Sequence, residues 1–164
     1  MVKPITAPGV TSTSMYFPGE SNVQRWFDAI SHAEYTGGTT VTVSAPIDFI
    51  PVYQRGGSIV PKQMRVRRSS QLMVHDPYTL VVALDHVESA AGDLYVDDFH
   101  TFNYQSSQSY IHRQFTMKGG KMTSTDASGG ASNPNFKPMN TIERIVRKHD
   151  CSTILFLKCA RLFL

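Results

Sequence analysis

Asp97 and Asp98 stand side by side in "GDLYVDDFH", and adjacent carboxylates invite a reading as an acid–base pair. Two carboxyl groups that work on one scissile bond must face each other across about 5–5.5 Å or more. Neighbours in a strand point to opposite faces, so this pair cannot flank a bond by itself. Turn-forming aspartates are the plainer reading, with a cation or a sugar hydroxyl as the functional alternative.

A second candidate is "IPVYQRGGSIVPKQMRVRRSS", where Gly56-Gly57 interrupts an apolar segment and Lys62, Arg65, Arg67 and Arg68 follow. A phosphate loop needs Gly-x4-Gly-Lys-Ser/Thr, or G-x-G-x-x-G opening a helix. Neither spacing is present, and Val60 before Pro61 favours extended chain. Strand alternation turns Met64 and Val66 inward and leaves Arg65 and Arg67 on a solvent or interdomain face. Nucleic-acid binding would want interleaved aromatics, and this stretch has none after Tyr53.

The six histidines, His32, His75, His86, His100, His112 and His149, are scattered without metal-ligand spacing. Cys151 and Cys159 both fall near the C-terminus without zinc-type spacing, and a disulfide between them has no sequence support. No serine sits in a G-x-S-x-G elbow. Trp26, Tyr104 and Tyr110 suit either sugar stacking or, more simply, packing. The residues alone therefore assign no catalytic, cofactor-binding or metal-binding position.

What must position these groups is a set of strands. "TTVTVSAP" and "GDLYVDD" alternate with the period of a half-buried strand, and Leu94 and Val96 lie opposite Asp93 and Tyr95. Tyr78 to Leu84 is an apolar run that fits a strand covered on both faces. In "SYIHRQFTMKGGKMTST", Ile111, Arg113, Phe115 and Met117 share one face, and Gly119-Gly120 supplies a hairpin turn. "NVQRWFDAI" is the one candidate for a short helix. "TAPGVTSTS", "FPGESN" and "YTGGTT" carry turn chemistry, and Ser124 to Pro138 is a polar loop. "NTIERIVR" then returns to alternation. Short strands with turns between them predict an all-β chain of antiparallel β-sandwiches.

The bulk numbers agree with that class. Of 164 residues, 41% are hydrophobic and 18% charged, which suits a packed globular chain. The net charge of +3 is local to one cluster and gives no reason to expect nucleic acid. No apolar run reaches the roughly 20 residues of a membrane span, so no membrane partner is expected. The N-terminus has no apolar leader core before its first prolines. The chain is then either cytosolic or lacks its own beginning.

Taken together the segments resemble the C-terminal part of glycoside hydrolase family 31, the retaining α-glucosidases, over roughly residues 1 to 147. The stretches that carry the likeness are "MVKPITAPGVTSTSMYFPG", "RWFDAISHAEYTGGTTVTVSAPIDFIPVYQRGGSIVP" and "GDLYVDDFHTFNY". Within the family, "MRVRRSS" and "HDPYTLVVAL" look most like the glucosidase II α-subunit branch.

The resemblance implies a proximal sandwich over 6–70 and a distal one over 71–164. Residues 1–5 would be a remnant of the last strand of a (β/α)8 barrel. That barrel carries the family's aspartate nucleophile and aspartate acid/base in segments upstream of this region, and no position here matches either motif. By the same implication the chain is structural and non-catalytic, needs no cofactor, and belongs to an enzyme that trims glucose from N-linked glycans. The implied partners are an α-glucoside or glucosylated N-glycan, the missing barrel and a glucosidase II β subunit, in the endoplasmic-reticulum lumen. A free-standing carbohydrate-binding module remains the alternative. Two departures stand out. Phe99 occupies the place of the family's glycine, which would strain a positive-φ turn by roughly 1–3 kcal/mol. From 148 onward the tail is atypical, and its divergence predicts an incomplete distal sandwich with an open edge.

Overall fold

The computed structural model describes residues 1–148, 155–157 and 162–163. It is a β structure in which two hydrophobic clusters mark two units. The first unit begins with β1 (Ser12–Phe17), β2 (Arg25–Asp28), β3 (Glu34–Thr36), β4 (Thr39–Ser44) and β5 (Tyr53–Arg55). β1 pairs with β4, and β2 lies between β3 and β5. Alternation makes each sheet one-sided, so Met15, Phe17 and Val43 of one sheet bury against Trp26 and Tyr53 of the other. Phe17 sits at the centre, stacked on Tyr35 at 4.8 Å and edge-on to Tyr53 at 4.9 Å.

The expected helix over "NVQRWFDAI" is instead β2. Trp26, Phe27 and Asp28 are all buried, and four residues cannot form the hydrogen bonds of a stable helix. β1 was also hidden by its composition. Ser12, Thr13 and Ser14 look like turn residues, yet pairing with Ser44, Val43 and Thr42 draws them into a ladder.

The second unit contains β6 (Ser58–Gln63), β7 (Tyr78–Ala83), β8 (Ser89–Val96), β9 (Ile111–Lys118), β10 (Lys121–Asp126) and β11 (Thr141–Lys148). β12 (Leu155–Leu157) and β13 (Leu162–Phe163) pair with β11. β12 extends the sheet on the side of β11 away from β7. The sheet order is β10-β9-β8-β6-β7-β11, and β6 meets β8 through only one pair, Ser58 with Ala91. That single joint lets the sheet fold, so Phe115, Met117, Leu94 and Val96 pack against Leu80, Val82 and Ile142. β7 is buried along its whole length, as its apolar run predicts. β11 runs parallel to β7, so the pairing is mixed rather than wholly antiparallel.

The β9–β10 hairpin matches its sequence signal. Gly119 and Gly120 take φ of +54° and +76°, which glycine reaches without a Cβ penalty. No described helix is long and apolar enough to cross a membrane.

Candidate functional site

The two units meet around the turn between β5 and β6. Gly56 donates its N–H to the Arg25 carbonyl at 2.7 Å, in the first unit. Gly57, at φ +86°, donates to the Ala83 carbonyl at 2.8 Å, in the second. A Cβ at Gly56 would lie 2.9 Å from the Leu84 carbonyl oxygen, so the glycine is what lets the backbones approach. The glycine pair is a structural joint, with no phosphate-binding geometry.

Side chains complete this joint. Buried Gln54 sends Nε2 to the Val81 carbonyl at 3.0 Å and to the Ser58 carbonyl at 3.2 Å. Arg25 donates Nε to Glu34 at 2.6 Å and Nη1 to the Asp85 carbonyl at 3.3 Å. Glu88 lies 3.8 Å from Arg25 and also pairs with Arg147. Lys148, 2% exposed, donates Nζ to the Asp28 carbonyl at 2.8 Å. Burial, then the charge of Lys62, pushes the Lys148 ammonium down to about 8, while Asp28 opposes the shift. His32 nearby, at φ +64°, is also pushed down by burial and by Lys148.

The basic cluster does not follow the expected alternation. β6 ends at Gln63, and Met64 and Val66 are 57% and 98% exposed rather than inward. The arginines turn out to be anchors. Arg67 grips Asp76 through Nε at 3.0 Å and Nη2 at 2.8 Å, and Arg65 reaches Glu143 at 3.1 Å. The hydrogen bonds from Arg67 hold the Asp76 carboxyl below its usual range, and Asp76 in turn raises Arg67. Once the chain leaves the ladder, ion pairs and not strand period decide where these side chains point.

Asp97 and Asp98 are turn aspartates. Asp97 Oδ1 accepts from the Phe99 N–H at 2.8 Å, and Asp98 Oδ1 accepts from His100 and Thr101 at 3.1 and 2.9 Å. The Thr101 hydroxyl and these N–H groups bring Asp98 down to about 2. Phe99 sits in their turn at φ +58°, the strained conformation expected of a bulky residue in a glycine's place.

The remaining candidates disperse. His112 lies 3.1 Å from Asp93, and His100 lies 3.1 Å from the Gln71 amide. Among the described residues no three metal-ligating side chains converge. His149, Cys151 and Cys159 lie outside the described residues. Trp26 is core, its indole donating to the Pro18 carbonyl at 2.9 Å. Tyr110 stacks on Tyr95 at 5.2 Å, and Tyr104 tilts against Phe102 at 6.2 Å, both near the surface.

This constellation joins and braces, and comparison with known proteins gives it a family. Residues 1–60 match the glycosyl hydrolase family 31 C-terminal domain. The chain is 42% identical over 146 residues to neutral alpha-glucosidase AB of Dictyostelium discoideum, and 40% identical to that of Homo sapiens. This chain matches the C-terminal part of glycoside hydrolase family 31.

Each alignment covers 89% of this chain but only 15% of the relative, so the chain spans about a seventh of the family members it matches. The crystal structure of an ER glucosidase II heterodimer, made of the catalytic subunit and the binding domain of its regulatory subunit, superposes with a TM-score of 0.80. That match has 35% identity and covers 89% of this chain and 16% of the other. A DNJ-bound glucosidase II α subunit gives 0.79 at 34% identity, over 89% and 16% of the two chains. The likeness thus gives the chain the fold of the C-terminal β-sheet region of these family 31 proteins. No (β/α)8 barrel occurs among its described residues.

The joint residues Arg25, Gln54 and Lys148, and Asp76 beside β7, carry no signal of their own in the sequence. Gln54 and Lys148 meet their partners only through strands remote in sequence, whereas Arg25 with Glu34 and Asp76 with Arg67 are pairs nine residues apart that the local chain path brings together.

Proposed function

We propose that this chain braces the catalytic barrel of a retaining α-glucosidase of the glucosidase II α type, and performs no hydrolysis itself. The observation that carries this reading is 42% identity along 146 residues that make up 15% of a neutral alpha-glucosidase. The family's nucleophile and acid/base lie in the barrel, which supports a purely mechanical role for this part. The intact enzyme would cleave an α-glucoside, including glucosylated N-glycans, through a covalent glycosyl-enzyme. A β subunit would be its partner and the endoplasmic-reticulum lumen its place.

The face offered to the barrel is apolar and built around the chain's first residues. Val2 bridges to Val52, and Lys3 donates to the Pro51 carbonyl at 3.0 Å. In the segment leading to Val52, Ile47 and Ile50 are 104% and 59% exposed, an unusual display of large aliphatic side chains. We place the division into proximal and distal sandwiches close to Gly56-Gly57 rather than near residue 70, because β6 pairs with β7 and not with the first unit.

Incubating the purified chain with a chromogenic α-glucoside tests the reading. No turnover above a heat-killed control is expected, and clear turnover would overturn it.

A further inference from the structure

Away from the joint, a cleft opens between the 3₁₀ turn at Ser70–Met73, the Asp97–Thr101 turn and the loop at 136–140. It has two adjoining lobes of about 320 and 380 Å³, which share Gln71, Val74, Phe99 and His100. Each lobe alone falls in the size range of small-molecule sites. Nothing in the bracing role uses this space.

Three features of the cleft point to one ligand class. Its apolar surface includes the ring of Phe99, which is half exposed at a strained φ of +58°. A glycine would relieve that strain, so the chain holds an aromatic ring at the mouth at a cost to its own stability. Planar polar groups line the same space. Gln71 and His100 sit 3.1 Å apart, and Asp97 joins them with Oδ1 engaged by the Phe99 N–H. Such groups each offer paired donor or acceptor positions. Charge selects further. Asp97 and Asp98 share the lining with Lys137, its one lysine or arginine, which disfavours phosphates and other anions. An apolar ring face beside planar amide, imidazole and carboxylate groups matches a neutral pyranose, with its C–H face on Phe99 and its hydroxyls on the polar groups.

We propose that this cleft is a non-catalytic binding site for a neutral mono- or disaccharide, with Phe99 as its stacking wall. The inference goes beyond the bracing role and does not depend on it.

Phe99→Gly separates this from a structural role, because the two roles move its readouts differently. The 164-residue chain is titrated with methyl α-glucoside and maltose, followed by amide chemical shifts, and melted thermally. Expected are saturable shifts at Gln71, Phe99 and His100, with Gln114 on the outer sheet face unmoved. Phe99→Gly should raise the melting temperature and weaken binding at least about tenfold. Asp97→Asn should weaken binding without a gain in stability. Unchanged affinity in Phe99→Gly would overturn the proposal. So would saturation by inorganic phosphate with no response to either sugar. Turnover of an α-glucoside by the chain would refute the bracing role and leave this site untouched, which keeps the two failures distinct.

Discussion

Arg67 and Asp76 form a two-point fork, Nε to Oδ2 at 3.0 Å and Nη2 to Oδ1 at 2.8 Å, between the chain leaving β6 and the chain entering β7. This bond depresses the Asp76 carboxyl in the folded state. A depressed acid stabilises the fold fully above its ordinary value of about 3.9, and that contribution fades as pH falls through the folded value. Arg67→Ala should therefore melt below the parent at pH 7, with the gap closing as pH drops below about 4. Arg67→Lys should recover only part of the loss, since a lysine keeps the charge but not the fork. A gap that stays constant with pH would assign the effect to packing instead.

The folding of the large sheet rests on close backbone approach at two glycines. A Cβ at Gly92 would run into the Ile59 carbonyl, and one at Gly56 would meet the Leu84 and Arg25 carbonyls at 2.9 and 3.0 Å. Gly119 has open space around it and only its positive φ to defend. Alanine should thus cost most at Gly92, then at Gly56, each at or above the roughly 1–3 kcal/mol of an overpacked site. At Gly119 it should cost about 1–2 kcal/mol. Urea denaturation of the three variants ranks them, and equal losses would contradict the corner at β6–β8.

Lys148 makes a prediction of the same sign as Asp76, a rise of stability with pH, but at the alkaline end of the range. Its folded value near 8 lies below its ordinary value of about 10.4, so the unfolded chain binds more protons between the two. Stability should then rise as pH climbs from about 8 toward 10. Burial sets most of the shift, Lys62 adds to it and Asp28 opposes it, while the same ammonium lowers His32. Lys148→Met removes the charge that burial penalises, so it should flatten this rise and hold its stability at pH 7. A parent whose stability falls steadily across the same range, with Lys148→Met falling alike, would count against a buried ammonium.

How much of this was legible beforehand varies by element. β7, β8 and the β9–β10 hairpin were plain, because burial on one or both faces writes itself into residue order. β1 and β2 were not. The first hides in serine and threonine, and the second is too short for its period to beat a helical reading. Pairing with β4, β3 and β5 decided both, and such long-range ladders leave no local trace. The likeness to family 31 and the glycine-breaking role of Phe99 were both readable from residues. The Arg67–Asp76 fork was not, since an arginine after a strand looks the same whether it meets solvent or a partner. The cleft beside Phe99 was equally hidden, because the 3₁₀ turn, the Asp97 turn and the loop at 136–140 converge only in the folded chain.

The account stands most directly on a segment exchange. Residues 1–147 would replace the matching segment of neutral alpha-glucosidase AB from Dictyostelium discoideum, with the human segment exchanged in parallel as a control. The bracing role predicts a soluble chimera that hydrolyses an α-glucoside within about tenfold of the parent enzyme, a difference of about 1.4 kcal/mol or less in the barrier. A chimera that is inactive or insoluble, while the human exchange yields active enzyme, would contradict it.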